Sequence, residues 1–424
     1  MTIALKTGKA LYDQEIGIKV PRSEVFYISL NTAPIINADG KVTGGIATFM
    51  DVTNRRKPIT VKMETSGGAH PMKARFVLTL TLAILFCPAA LSAQDTPPNA
   101  LLALSKKGHT LAIVDPATLK VLAKVAIGND PHEVLASSDG KTAYVSNYGF
   151  GAYHTLAVVD LIGQKPLPSI DLGALRGPHG LTFVDGKVWF TAEAAKAIGS
   201  YDPATQKIDW ILGTGQNRTH MIFVAPDAKW IVTTNVNSGT ASIIEKVEGR
   251  PGPPPGPPPA GAPNGPPPLI LPPGGDWNET VIPVGVGSEG FDVSPDRKEI
   301  WVADAQNGNV TIIDAAKKQV IETLPVNAVG ANRLKFTPDG KLVLISTLRG
   351  GDLLVLDAAS RKVIKRIPIG HGAAGILMQP DGSRAFVACS PDNYIVTIDL
   401  KSLEVTAHID VGGEPDGLAW ASRQ

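Results

Sequence analysis

A repeat of about 43 residues, running from residue 99 to the C-terminus, limits what this chain can fold into. Each unit has a Gly and a polar turn, a short apolar strand, an Asp-Gly-like turn, a strand containing Tyr-Val or Trp-Val, an Ile-Val-Asp strand, and a strand containing Lys-Val. The acids that end the third strand are Asp115, Asp160, Asp202, Glu245, Asp314, Asp357 and Asp399. They are separated by 45, 42, 43, 69, 43 and 42 residues, so one unit carries an insertion.

The insertion is the segment 249–275, which consists mainly of Pro and Gly. Because proline lacks the N–H group that a sheet ladder needs, this segment is expected to project as an extended polyproline-like loop between the third and fourth strands of its unit. Two roles are open for it. It could be a passive spacer, or it could dock a partner that recognises Pro-rich segments.

Seven third-strand acids predict seven four-stranded blades, and therefore an all-β, seven-bladed β-propeller over residues 99–424. The 43 Gly and 35 Pro residues agree with many short strands joined by tight turns. The first unit has only three predicted strands, and the sequence around Trp420 matches the first strand of a unit. We therefore expect the last strand to complete the first blade and close the ring in a monomer.

Residues 72–93 have the three parts of a secretory signal peptide: a basic start, an apolar core over 76–86, and small residues ending at Ala93. A transmembrane anchor is the alternative, because 76–93 provides 18 mostly apolar positions. Both predictions place the propeller outside the cytoplasm, in the periplasm or beyond. Only this segment is expected to contact a membrane.

Residues 1–71 contain a strand-like segment at 25–34, a turn signal at 37–40 and a second strand at 42–51. The run LNTAPI-x-x-ADG-x-VTGGIATFMDVT resembles the C-terminal (PAC) half of a PAS sensor domain, and the resemblance covers about residues 8–57. The half that completes the ligand pocket in that family is missing, which implies a small α/β fragment of low stability. Our hypothesis is that Met72 is the physiological start. A membrane-anchored PAS-containing sensor is the alternative.

Charge and cysteine usage exclude several classes of protein. Residues 94–424 hold 29 Lys and Arg against 33 Asp and Glu, without a basic cluster, so nucleic-acid binding is not expected. Of the two cysteines, Cys87 lies in the predicted signal segment, so no disulfide is expected with Cys389. The sequence contains neither a Cys-rich zinc motif nor a C-x-x-C-H haem attachment site.

Three runs, SSDGKTAYVSN at 137–147, SPDRKEIWVAD at 294–304 and TPDGKLVLIST at 337–347, resemble the YVTN-type β-propeller repeat family of secreted and surface proteins. The resemblance covers almost all of residues 99–421. Its members include binding proteins, surface-layer proteins, and subunits or domains of amine dehydrogenases and nitrous oxide reductase. The resemblance implies the fold and does not choose among these functions.

In a propeller, the first residues of each inner strand and the loops between second and third strands meet at one mouth of the central channel. The residues predicted for this rim are His132, Asn147, Tyr148, Tyr153, His179, Glu193, His220, Asn235, Glu289, Asp304, Arg333 and Asp416.

The three rim histidines, His132, His179 and His220, start inner strands of successive units. Three converging imidazoles could hold Cu or Zn; alternatively, each histidine packs a turn and bonds to backbone carbonyls. The loop 148–154 (YGFGAYH) could present its aromatic residues to a ligand or partner, or could bury them against itself.

The sequence contains none of the common nucleophile, zinc-protease or nucleotide-binding motifs. The function preferred from sequence is an exported, non-catalytic binding or scaffold propeller that uses the rim to contact an unidentified small molecule or protein. The alternative is an enzyme of the metal-dependent oxidoreductase, lyase or lactonase type, with the histidines and Glu193 at its centre.

Overall fold

The computed structural model describes residues 95–247 and 276–423, together with the backbone of three strands nearer the N-terminus. The chain divides into two compact units, Met1–Pro88 and Ala89–Gln424. The predicted signal segment 72–93 and the Pro-rich insertion 249–275 lie outside the described residues. In the described part, no helix is long and apolar enough to cross a membrane.

The described residues of the N-terminal unit form an antiparallel sheet of three strands: β1 (Leu11–Ile18), β2 (Phe26–Ile36) and β3 (Val42–Asp51). β2 pairs with β3, so the predicted hairpin is confirmed, although its first strand begins one residue and ends two residues later than predicted. β1, which pairs with β2, was not expected from the sequence. The PAS resemblance of this unit stays a prediction.

The second unit is a propeller of seven four-stranded antiparallel sheets, as predicted. From the inner strand outward, blade 2 consists of β7 (Pro131–Ala136), β8 (Thr142–Asn147), β9 (Thr155–Asp160) and β10 (Lys165–Asp171), and blade 3 consists of β11 (Pro178–Val184), β12 (Lys187–Ala192), β13 (Ala197–Asp202) and β14 (Lys207–Gly213). Blade 4 consists of β15 (Thr219–Val224), β16 (Trp230–Asn235), β17 (Thr240–Val247) and β18 (Asp276–Pro283), and blade 5 consists of β19 (Ser288–Val293), β20 (Glu299–Asp304), β21 (Asn309–Asp314) and β22 (Gln319–Pro325). Blade 6 consists of β23 (Ala331–Phe336), β24 (Leu342–Thr347), β25 (Asp352–Asp357) and β26 (Lys362–Pro368), and blade 7 consists of β27 (Ala373–Met378), β28 (Arg384–Cys389), β29 (Tyr394–Asp399) and β30 (Glu404–Ile409).

Blade 1 joins the two ends of the propeller sequence. Its outer strands are β4 (Asn99–Ser105), β5 (Thr110–Asp115) and β6 (Lys120–Ala126), and its inner strand is the C-terminal β31 (Pro415–Ser422). Trp420 of β31 is paired with Leu101 of β4, which confirms the predicted closure. β31 also contacts the inner strands of blades 2 and 7, so the ring has no open edge between its ends.

The hydrophobic core is divided among the interfaces between blades. Each of the seven clusters of buried apolar residues in the described part draws its members mainly from two adjacent blades. The second and third strands of a blade are buried on both faces, which explains their continuous apolar sequences; Trp301 in β20 is fully buried. A blade therefore depends on both neighbours for its core.

The repeated acids at the ends of the third strands stabilise turns. In blade 7, Asp399 Oδ1 accepts hydrogen bonds from the backbone N–H groups of Lys401 (3.0 Å) and Ser402 (2.7 Å). The turn then closes with a hydrogen bond from Leu403 N to the Asp399 carbonyl, and Leu403 has a left-handed backbone. The most regular signal in the sequence is therefore a turn signal on the face opposite the channel mouth.

Removal of residues 412–424 is expected to abolish cooperative folding, because blade 1 would lose its inner strand and the interfaces with blades 2 and 7 would open. The measurement is thermal unfolding followed by circular dichroism in the β region. A matched truncation that removes residues 1–94 should keep the transition, because the propeller forms its own compact unit. A sharp transition in the C-terminal truncation would show that the ring does not need its closing strand.

Candidate functional site

A β-bulge at the start of every inner strand places side chains at the channel mouth. The register between the first and second strands shifts within the first few residues of all seven inner strands. In blade 2 the shift lies between Pro131 and Val134, so His132 and Glu133 leave the ladder. Ser146 Oγ accepts the hydrogen bond of the freed Glu133 N–H at 3.0 Å. The bulge lets consecutive residues contribute to the mouth.

Glycine in several of these bulges allows adjacent inner strands to approach closely. A Cβ atom on Gly180 would lie 2.6 Å from the carbonyl oxygen of His220 in the next blade, and one on Gly417 would lie 2.4 Å from that of His132. These contacts are too short for any residue but glycine. Glycine therefore sets the narrow spacing that brings the rim side chains together.

The three predicted histidines converge at this mouth. The ring centroids of His132 and His179 are 5.0 Å apart, and those of His179 and His220 are 3.7 Å apart. Tyr148 packs edge-on against both His132 and His179, at 4.8 and 5.1 Å. The four rings form one cluster built from three successive blades, and all four residues are buried.

His220 is held between two carboxylates. Its Nδ1 bonds to Glu193, and its Nε2 lies 3.0 Å from Glu289 Oε1 without being aligned to donate to it. Burial disfavours the charged imidazolium, but the two carboxylates outweigh burial and raise the pKa of His220 above 6.5. Glu193 is also buried and the side chain of Glu289 is 12% exposed, yet the polar contact of each with His220 and the charge of His220 and of nearby arginines lower the pKa of both.

A chain of hydrogen bonds continues from His220 to the loop of blade 2. The Tyr148 hydroxyl donates to the second oxygen of Glu193 at 2.5 Å. Burial and the neighbouring carboxylate raise the pKa of Tyr148, so its hydroxyl keeps its proton. Arg218 supports the same carboxylates: its Nε lies 3.4 Å from Glu193 and its Nη2 lies 3.2 Å from Glu289.

His179 differs from its neighbours because its Nδ1 is buried and has no hydrogen-bond partner. Burial and the positive charge of His220 hold the pKa of His179 well below 6.5. The stacked pair thus combines a neutral imidazole with one that favours the protonated form.

On the other side of the mouth, His132 lies between two aspartates. Its Nε2 is 3.1 Å from Asp130 Oδ1 and its Nδ1 is 3.6 Å from Asp416 Oδ2. Lys106 Nζ donates to the same Asp416 oxygen at 3.1 Å. The polar network therefore continues from blade 2 into the closing strand of blade 1.

An ion pair whose two side chains are 6% and 12% exposed crosses the channel. Arg333 of blade 6 pairs with Glu133 of blade 2, two blades that are not neighbours in the ring. The other guanidinium nitrogen of Arg333 donates to the backbone and side-chain oxygens of Asn332 at 3.0 and 3.2 Å. Asn332 in turn donates to Glu289 at 3.0 Å. The network therefore extends over six blades. In blade 7 the second residue of the inner strand, the position of His132 in blade 2, is Ala374.

The loop after β8 presents an aromatic residue above this network. Phe150 is 86% exposed and adopts a left-handed backbone, as do its neighbours Gly149 and Gly151. Gly149 N donates to Asp130 Oδ2 at 2.8 Å, which fixes the loop to the network. Tyr153 is also exposed, at 38%, and lies beside Gly149, outside the ring cluster.

Eight of the twelve predicted rim residues lie in the network: His132, Tyr148, His179, Glu193, His220, Glu289, Arg333 and Asp416. Tyr153 lies beside it. The remaining three hold loops in place: Asn147 donates to the carbonyls of residues 127 and 129, Asn235 bonds to three hydroxyls, and Asp304 accepts from two backbone N–H groups.

Sequence reasoning missed Lys106, Asp130, Glu133 and Arg218 as members of the network. Asp130 and Arg218 each precede a rim histidine by two residues, and Glu133 follows one. A search for ionisable residues flanking the inner-strand starts could have found these three. The side of the strand that each would face depends on the bulge, which the sequence does not reveal.

The site does not fit the copper or zinc hypothesis. No group of three or more His, Cys, Asp or Glu side chains in residues 95–247 and 276–423 is arranged to hold a metal ion. The stacked rings of His179 and His220 are inclined by only 31°, so they face each other instead of directing nitrogen atoms at one point. Both nitrogens of His220 also lie beside carboxylates.

Comparisons with known proteins agree with the propeller fold. Residues 275–384 match the model of the YNCE-like beta-propeller family, and a search of curated proteins finds no match. A functionally unknown protein from Desulfotomaculum acetoxidans superposes with a TM-score of 0.60 at 12% identity, covering 77% of this chain and 100% of that chain. Kuenenia stuttgartiensis hydrazine synthase gives a TM-score of 0.55 at 19% identity, covering 69% and 90%.

A third solved structure, the dihydro-heme d1 dehydrogenase NirN in complex with DHE, gives a TM-score of 0.52 at 13% identity and covers 77% of this chain and 76% of that chain. At these identities the similarity shows the fold alone. The chain is therefore a β-propeller protein with a buried polar network at one mouth of its channel.

The stacked histidines predict a pH optimum of stability. His179, whose pKa is lowered, makes the folded state more stable as pH rises to 6.5. His220, whose pKa is raised, makes it less stable as pH rises from 6.5 through its folded pKa. Urea denaturation between pH 5 and 9 gives the free energy of unfolding as a function of pH. H179Q should remove part of the rise on the acid side of the wild-type curve, and H220Q should remove part of the fall on the basic side. Two variants with the wild-type profile would contradict the assignment.

If Arg333 and Glu133 interact, the effects of substituting them on the free energy of unfolding should be strongly non-additive. R333M should lower the free energy of unfolding by about 3–5 kcal/mol, because it leaves the carboxylate of Glu133 buried without its partner. The double variant R333M/E133L should recover most of that loss, as measured by urea denaturation. Additive losses in the double variant would show that the two side chains do not interact across the channel.

Proposed function

We propose that this chain is an exported, non-catalytic binding propeller that contacts its ligand through the channel mouth. The observation that carries the proposal is the fixed, exposed Phe150 above a buried and internally paired polar network. An apolar contact beside convergent polar groups is the usual composition of a ligand site. The carboxylates and cations of the network are paired before any ligand arrives, so binding requires little reorganisation of these groups.

The exposed charges at the mouth favour an anionic ligand. The side chains of Arg218 and Lys106 are the most exposed charged groups of the network, at 33% and 26%, whereas those of Asp130 and Asp416 are 23% and 7% exposed. Glu193 is likewise buried. A ligand at the mouth therefore meets two cationic groups and the ring of Phe150, with Asp130 as the one carboxylate of similar exposure. This arrangement suits a small carboxylate that carries an aromatic or other apolar group.

Calorimetry with benzoate and its neutral counterpart benzamide, used as probes of this class, tests the proposal. Wild type should bind benzoate more tightly, and K106M should weaken benzoate binding about tenfold, since a charge-assisted hydrogen bond contributes about 1.5–3 kcal/mol. F150S should weaken both probes. I364S, on an exposed position of the outer strand of blade 6, is the control. Equal affinities for the two probes in wild type would refute the anionic specificity.

A metal-free acid–base enzyme is the second candidate. It is favoured by the neutral His179, with its unpartnered nitrogen, beside the Tyr148–Glu193–His220 chain of proton donors and acceptors. In such an enzyme, H179Q would abolish turnover while ligand affinity remained. Two results would favour the binding role: H179Q still turns the ligand over, or wild type binds the ligand tightly without turning it over.

Export is part of the proposal and rests on residues 72–93. We expect the natural protein to be found outside the cytoplasm with Gln94 at its N-terminus. N-terminal sequencing of the native protein is the measurement. A native protein that keeps 72–93 would instead be membrane-anchored, and one that also contained peptides from 10–55 would revive the sensor hypothesis.

A further inference from the structure

One sector of the mouth face is almost free of charge. It consists of the five loops 236–239, 284–287, 305–308, 326–330 and 348–351, which belong to blades 4, 5 and 6. Among their residues only Arg349 is charged. On the opposite face, the turns of the same blades carry ten charged residues: Asp227, Lys229, Asp296, Arg297, Lys298, Lys317, Lys318, Asp339, Lys341 and Arg361. The two faces of the same three blades differ in charge, so the low charge of the sector does not come from a low content of charged residues in these blades.

The uncharged sector also exposes apolar side chains. Val286, Val329 and Leu348 are 51%, 46% and 47% exposed, and each lies in a different loop of the sector. Exposed apolar groups combined with few charges are typical of the centre of a protein–protein interface.

Hydrogen bonds between backbones join the loops of the sector into one surface. Val284 N donates to Gly239 O at 2.9 Å, and Ala305 N donates to Gly287 O at 3.0 Å. Farther along, Gly330 N donates to Ala305 O at 2.7 Å, and Leu348 N donates to Gly330 O at 2.8 Å. The buried carboxylate of Asp304 fixes the loop 305–308 from below through two backbone N–H groups. The sector is thus preorganised, which reduces the entropy lost on binding.

The single charge indicates the chemistry of the occupant. Arg349 is exposed and forms no ion pair with any described side chain. The first carbons of its side chain lie against the position where Gly330 lacks a Cβ atom. One guanidinium among apolar groups suits a single carboxylate on an otherwise uncharged protein surface. A nucleic acid would need clustered positive charge, which this sector lacks.

We propose that the uncharged sector docks a partner protein through an apolar patch that carries one carboxylate opposite Arg349. The sector lies on the mouth face but includes none of the residues assigned to the ligand, so the proposal goes beyond the binding role described above. Its partner would approach from the face opposite the end of β17 and the start of β18.

Photocrosslinking in the native host tests this docking surface with the full chain. The photoreactive residue p-benzoylphenylalanine would replace Val329 or Leu348. In two controls it would replace Ile211 or Ile364, which lie on outer strands and are slightly more exposed, at 55% and 52%. The expected result is an adduct with the same protein from both sector positions and from neither control. The adduct should fall about tenfold in R349E, equivalent to about 1.4 kcal/mol of binding free energy. The thermal midpoint of R349E should match that of wild type.

The adducted peptide of the partner should contain an Asp or Glu, and exchanging that acid for Lys should restore binding to R349E. Three outcomes would overturn the proposal: equal adducts at the control positions, a second copy of this chain as the sole product, or no adduct at either sector position. Adducts that are unaffected by R349E would also overturn it, since the carboxylate contact would then be absent.

Discussion

Closure of the ring of inner strands is the constraint on which the rest of this molecule depends. Each interface between blades contains its own cluster of buried apolar residues, so a blade lacks half of its core if a neighbour is missing. The two ends of the propeller sequence meet in blade 1, where β31 pairs with β4. Glycines such as Gly180 and Gly417 permit the close approach of adjacent inner strands. The stability of the fold and the width of the mouth thus have one geometric origin.

The narrow mouth brings many charges into a small buried space, and pairing makes this possible. An isolated buried charge would cost several kcal/mol, whereas here each carboxylate lies beside a cation, a hydroxyl or an imidazole. His220 favours its protonated form between Glu193 and Glu289, while His179 stays neutral against it. Two identical side chains in stacked contact therefore differ in charge because only one of them touches carboxylates.

The mouth face combines two surfaces of different chemistry. The polar network draws on blades 1 to 6, with the exposed ring of Phe150 in blade 2 beside it, whereas the sector loops of blades 4 to 6 carry a single charge, Arg349, and expose apolar side chains. The same topology produces both, because every connection between blades and every loop between second and third strands lies on this face. A ligand at the mouth and a protein on the uncharged sector would be close neighbours.

The sequence by itself determined the seven blades, the closure through Trp420 and the convergence of His132, His179 and His220, because turn and strand signals are local and repeat at a regular spacing. It did not determine which rim residues enter the network. Asn147 and Asp304 were equally plausible from their positions, yet they hold loops, whereas Arg218 and Glu133 were missed and carry ion pairs. Only the tertiary structure decided these roles. A bulge changes the direction of each side chain, and partners such as Arg333 and Glu133 are 200 residues apart in sequence.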